Sequence, residues 1–109
     1  MADVLGAFEQ AVLLAIVRLG DEAYGRAILK EVQERLGRSV AVGAVHATLE
    51  RLEHKGLVTS RLGSGTPIRA GRPRRYYRAA ASARRALNDA RAMVDALWRG
   101  LEWPLKGRI

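Results

Sequence analysis

Apolar residues recur along this chain in steps of three and four. Leu5, Phe8, Val12, Ile16 and Leu19 form the stripe of a first helix. Ala11, Leu13, Leu14, Ala15 and Val17 make the same segment apolar on most faces. A helix of that kind is expected to be covered on more than one side, here by its own domain and by a partner subunit. Gly20 stops the segment and Asp21 is placed to cap the next helix. Ile28, Val32 and Leu36 give a second stripe, with Glu31, Glu34 and Arg35 outward and Gly37 at the end. In the third segment Val42, Val45, Leu49 and Leu52 step by three, four and three. Ala44, His46, Thr48, Arg51 and Lys55 are left to its other faces. Gly56 then takes the left-handed position past the helix, and Leu57 is expected to fold back on Leu52.

From Leu57 the period changes. LVTSRL, residues 57–62, alternates and carries β-branched residues, and RRYYRAA, residues 74–80, is a second strand. Between them GSGTPIRAGRP reads as a loop, so the two strands form a hairpin with a protruding tip. The helical period returns from about Ser82 to Leu101. There Leu87, Ala90, Val94, Leu97 and Leu101 repeat as a coiled-coil seam, narrower than the face of a core helix. Its expected partner is a second copy of the chain. The fold class predicted is mainly α with a small β-hairpin. A winged helix-turn-helix domain over residues 1–80 precedes a C-terminal dimerisation helix and tail over residues 81–109.

Charge adds the first functional information. The chain has 109 residues, 19 Lys or Arg against 11 Asp or Glu, and a net charge of +8. Only Lys30, Lys55 and Lys106 are lysines. Between Glu53 and Asp89 there is no acid, while Lys55, Arg61, Arg69, Arg72, Arg74, Arg75, Arg78, Arg84 and Arg85 fall in that interval. Such a block in a folded region predicts an interaction surface, and the basic balance points to nucleic acid or an anionic membrane surface as its partner. The hairpin loop would carry Arg69 and Arg72, and the start of the second strand Arg74 and Arg75, to phosphates or into a minor groove.

Other chemistries are excluded or unsupported. There is no cysteine, and His46 and His54 stand eight residues apart, not at the four of a zinc pair. GSGTPIRAG lies in a hairpin and precedes no helix, so it makes a poor phosphate cradle. No enzyme activity, cofactor or metal is expected. No run of 18 apolar residues appears, and no basic region stands ahead of an apolar stretch near Met1, so the expected location is cytoplasmic, with no membrane partner.

The segments DEAYGRAILKEV, VGAVHATLERLEHKGLV and GRPRRYYRA together resemble the PadR family of bacterial transcriptional regulators, most closely its short members with one C-terminal dimerisation helix. The likeness spans roughly residues 5–100. It implies a homodimeric repressor on double-stranded DNA, with its third helix, about Ala41 to Lys55, in the major groove and its wing on the backbone. Val42, Gly43, Ala44, His46, Ala47 and Thr48 are the groove candidates it implies, and Arg72, Arg74 and Arg75 match the basic wing. Tyr76 or Tyr77 would anchor the returning strand, and Tyr24 would pack near the second helix. Four positions depart from the family: His46 stands for a Tyr, Ala41 for a capping Ser or Thr, and Ala80 and Ala83 for a Thr and a Gly. Ser39 is the alternative cap for the third helix, and the last helix would start earlier along the alanines.

Ala44, Ala47 and the Thr48 methyl suit thymine methyls, and Arg51 alone could fork onto guanine. The likeness further implies a small aromatic or lipophilic effector near the dimer interface, where Phe8, Val94, Leu97, Trp98 and Leu101 gather. Trp103 lies just beyond, and the Trp98 and Trp103 pair would either hold a flat ligand or be ordinary dimer packing. Regulation of its own or a neighbouring export or permease operon is the expected role. Two rival readings rest on the same charge: a basic protein binding nucleic acid without sequence choice, and a winged helix turned protein-interaction module.

Overall fold

The structure, a computed structural model, describes residues 4–63 and 73–103. Helix α1 spans Ala7–Leu19, α2 Gly25–Leu36 and α3 Val42–His54. Strands β1, Val58–Leu62, and β2, Arg75–Ala79, pair antiparallel, and α4 covers Ala81–Trp98. This is the mainly helical winged fold with a two-stranded hairpin.

Each helix is where it is because one stripe of it is buried. Val12, Leu13, Ala15 and Ile16 of α1 meet Ile28 and Val32 of α2, and Val45, Leu49 and Leu52 of α3, in a single core. Two ends of the expected stripes stay outside it: Leu36 and Val42 are exposed. The exit of α3 is the Schellman stop the sequence predicts. Gly56 adopts φ +78°, the Leu57 N–H donates to the Leu52 carbonyl at 2.9 Å, and the Gly56 N–H to the Glu53 carbonyl at 3.0 Å.

The starts are less conventional. Asp21 does not cap α2; it lies in a 3-10 turn, Gly20–Glu22, and reaches Arg78 at 3.5 Å. Tyr24 takes the N-cap position of α2 and forms a lone β-bridge with Tyr76, while the Tyr77 N–H donates to the Ala23 carbonyl at 2.8 Å. The segment before α2 thus acts as a short third strand beside β2. Ser39 does not cap α3 either. Its N-cap is Ala41, without a side-chain bond, and the Val40 N–H goes instead to Gln33 Oε1 at 3.0 Å. Helix α4 starts at Ala81, early in the alanine run, with the Ser82 hydroxyl donating to the Gly56 carbonyl at 3.1 Å.

Helix α4 divides along its length. Ala83 and Ala90 are buried in the core, and Ala86 and Leu87 pack against it, so the first half of the seam rests on its own domain. Past Ala90 the side chains open to solvent: Val94 is 49% and Leu97 74% exposed. The helix ends at Trp98, and Gly100 at φ +76° turns the chain. Leu101 therefore lies beyond the helix and is not its next seam position. The Trp103 ring comes back onto Trp98, centroids 6.5 Å apart at 24°.

Candidate nucleic-acid interface

The inward face of α3 fixes its outward one. Val45, Thr48, Leu49 and Leu52 form one buried stripe at helical spacing. Val42, Gly43, Ala44, His46, Ala47, Glu50 and Glu53 are left exposed. Thr48 was expected on the groove side, and that reading is corrected here: it is only 2% exposed and lies in the α3–α1 seam. Arg51 is drawn the same way. Its Nε reaches Glu9 Oε2 at 3.3 Å and its NH2 donates to Thr48 Oγ1 at 3.3 Å, so the guanidinium is committed toward α1 rather than a guanine.

Glu9 is the acid that holds this seam. It is third in α1, where its Oε1 accepts the Gly6 N–H at 3.0 Å and completes the helix start. Its other oxygen takes Lys55 Nζ at 2.8 Å and Arg51 Nε at 3.3 Å. Burial pushes the Glu9 carboxyl up, but Lys55, the Gly6 N–H and Arg51 together outweigh it and hold the group below its ordinary value. Both ends of α3's last turn are thereby pinned to α1.

This has a checkable consequence. Glu9→Gln keeps the acceptor for Gly6 and removes the charge. It is expected to lower stability at pH 7 by about 1–2 kcal/mol, the half-exposed Arg51 contributing little of that. A depressed carboxyl pKa stabilises the fold above the unfolded value and loses that contribution as pH falls through the folded one. The gap between wild type and variant should therefore be full at pH 7 and close below the ordinary value of 4.5. Urea unfolding at a series of pH values measures it. A gap independent of pH means the pair is not what Glu9 contributes.

The exposed face of α3 forms one wall of a cleft of about 730 Å³. Tyr24, Gly25 and Arg26 at the start of α2, Pro73 and Arg74 just before β2, and Arg75 and Tyr77 within it line the rest, with His46, Glu50 and Glu53 on the α3 side. Arg74 lies over the Tyr24 ring at 4.1 Å, Tyr24 meets Tyr76 edge-on at 5.7 Å, and Arg61 covers Tyr76 at 5.0 Å. This alternation of cation and ring locks the base of the wing to the start of α2. Arg75 NH1 donates to Ser60 Oγ at 3.0 Å, which in turn donates to Glu53 Oε2 at 2.8 Å, tying the wing to α3. Burial pushes the Tyr77 hydroxyl up, Arg75 opposes it, and Glu53 and Glu50 add to it, so Tyr77 stands as a neutral hydroxyl beside both acids.

Of the sequence-predicted residues, Val42, Ala44, His46 and Ala47 are exposed on α3, and His46 shares the cleft with Arg74 and Arg75. Thr48 and Arg51 are turned away. Arg69 and Arg72 lie outside the described residues. Of the interface candidates, Phe8 is half-buried against the core, whereas Val94, Leu97, Trp98 and Leu101 are exposed. Sequence reasoning overlooked Arg26, Glu50 and Glu53. Glu50 had a signal: it stands seven residues after Gly43 and three after Ala47, on the same helical ridge.

Residues 13–89 match the Transcriptional regulator PadR-like family. The chain belongs to that family. A PadR family transcriptional regulator from Eggerthella lenta is 30% identical, with a TM-score of 0.63 over 82% of this chain and 75% of that one. A PadR family transcription regulator from Clostridium difficile is 25% identical at a TM-score of 0.63, covering 86% and 88%. A PadR-like transcription factor from Bacteroides fragilis is 24% identical at 0.65, covering 83% and 82%. No curated protein matches the chain. As a PadR-family member the chain is a DNA-binding transcriptional regulator and not an enzyme. Among the described residues no helix is long and apolar enough to cross a membrane.

Proposed function

We propose that this regulator is a homodimeric repressor, its α3 entering the major groove and its wing lying on the phosphate backbone. Residues 1–80 serve as the DNA-binding unit and residues 81–109 as the dimerisation segment. The reading is carried by one juxtaposition: His46, on the face of α3 that also exposes Gly43 and Ala47, shares one cleft with Arg26, Arg74 and Arg75. Small side chains let a helix approach base edges closely, and Arg74, Arg75 and Arg26 supply charge for phosphates on either side. His46 stands on the same ridge as a phosphate donor. The open second half of α4 supports the dimer, since Met93, Val94, Leu97 and Trp98 are exposed together.

Between α1 and α4 runs a groove of about 840 Å³ whose apolar lining includes Leu14, Val17, Leu87 and Val94. In the proposed dimer it suits a small aromatic or lipophilic effector. Trp98 and Trp103 face each other, so the groove and not the space between those rings would take a flat compound. An effector of this class fits control of the regulator's own operon or of a neighbouring export or permease operon.

Fluorescence anisotropy on the DNA upstream of its own gene, against a scrambled duplex, tests the reading. Preference by about a thousandfold or more is expected for a sequence-specific autoregulator. Because the basic wing supplies much of the affinity, log K against log salt should fall with a slope steeper than about −3. Equal binding to both duplexes supports a non-specific basic protein instead, and a shallower slope removes the phosphate-dominated account.

A further inference from the structure

With Thr48 buried and Arg51 drawn to Glu9, the outer ridge of α3 that the proposed reading sends into the groove is short. It runs Gly43, His46, Ala47, Glu50. We infer that Glu50 is a specificity-determining residue, its carboxylate accepting the exocyclic amino group of a cytosine in the major groove. The inference rests on that groove-entering reading of α3.

Three observations support it. Glu50 is exposed and makes no hydrogen bond or ion pair with the described residues, whereas its neighbour Glu53 is bound by Ser60 at 2.8 Å. A free carboxylate among phosphates opposes binding at every sequence unless a base donor meets it. Ala47 beside it and Gly43 two turns before present no bulk, and the space around Gly43 is open to 4 Å, so the ridge can come close to base edges. Arg26 and Arg75 line the same cleft and offset the repulsion from the backbone. An ionised carboxylate only accepts. It therefore suits the cytosine amino group and is opposed by the acceptor atoms of guanine and thymine. Affinity falls a little everywhere, and discrimination rises at one base pair.

The test is selection from a randomised duplex pool by the full chain, in parallel for wild type, Glu50→Ala and Glu50→Gln. Circular dichroism first establishes that the variants fold, as expected for an exposed position. Wild type should enrich a motif with a fixed cytosine in each half-site. In Glu50→Ala that column should flatten, with discrimination reduced by about tenfold. In Glu50→Gln it should shift toward adenine, the base a carboxamide pairs with. Both variants should bind a non-specific duplex several-fold more tightly than wild type. If all three proteins enrich one motif, Glu50 reads nothing, while the groove reading of α3 stands. Uniform weakening of the variants on every duplex also overturns the inference, because it marks a supporting role. If wild type enriches no motif, the groove reading fails and the inference with it.

Discussion

Val94→Glu combined with Leu97→Glu is expected to weaken binding to a duplex with two half-sites by about a hundredfold or more, through loss of the second linked contact. Both side chains lie in the exposed half of α4, at 49% and 74% exposure. Exposed substitutions of this kind usually change domain stability by no more than about 0.5 kcal/mol. Their cost falls on association. In a dimer that covers this face, the carboxylates would be buried without partners, and burial of an unpaired charge strongly opposes association. A monomer can then engage one half-site only. Sedimentation velocity should show the loss of the dimer, and anisotropy the loss of affinity. A duplex carrying a single half-site separates this from simple repulsion of DNA by added charge: its affinity should fall by no more than about threefold. A variant that stays dimeric, or that binds the two-site duplex like wild type, removes α4 as the dimer contact.

The division of α4 shows where a sequence can be read and where it cannot. The heptad from Leu87 to Leu101 looks uniform in the sequence. The structure uses its first part against the domain, because Ala83 and Ala90 are small enough to let α4 lie close on the core. Only the later part is unpartnered. Periodicity reports that a face is apolar, not which neighbour covers each turn. Gly100 then ends the seam one step early, a stop visible as a glycine but outweighed by the apparent register of Leu101.

The helices and the hairpin were legible because their signals are local. Val45, Leu49 and Leu52, the Gly56–Leu57 stop and the alternation around Val58 and Tyr76 all act within a few residues. The proposed binding ridge was less so. Thr48 is polar and small, which suggests a surface, yet it stands three and four residues from Val45 and Leu52 and shares their buried stripe. Arg51 reads as a free base-reading arginine until Glu9, 42 positions away, is seen to hold it. Pairings at that distance in sequence leave no local trace. Tyr24 was expected near the start of α2, but its bridge to Tyr76 across the wing required the fold.

That bridge is the basis of the second large effect. Tyr76→Ala is expected to lower stability by about 3–4 kcal/mol, whereas Tyr76→Phe should cost less than about 1 kcal/mol. Tyr76 is 8% exposed, meets Tyr24 edge-on at 5.7 Å and lies beneath Arg61 at 5.0 Å. Removing the ring leaves a cavity where the wing meets the start of α2, and removes an aromatic pair worth about 0.5–1.5 kcal/mol beyond its area. Phenylalanine keeps both ring contacts. For a domain of this size the alanine variant should melt roughly 10–25 °C lower. DNA binding, measured where both variants are fully folded, adds the functional half. Tyr76 lies one residue from Arg75 and two from Arg74, whose own guanidinium rests on Tyr24 at 4.1 Å. A loosened ring cluster displaces that arginine from the cleft, so Tyr76→Ala should lose affinity and Tyr76→Phe should keep it. Should the alanine variant melt like wild type, the wing is held chiefly by the backbone pairing of β2 with Ala23 and β1. Equal DNA affinity in both variants would mean that the cleft arginines do not depend on the rings for their position.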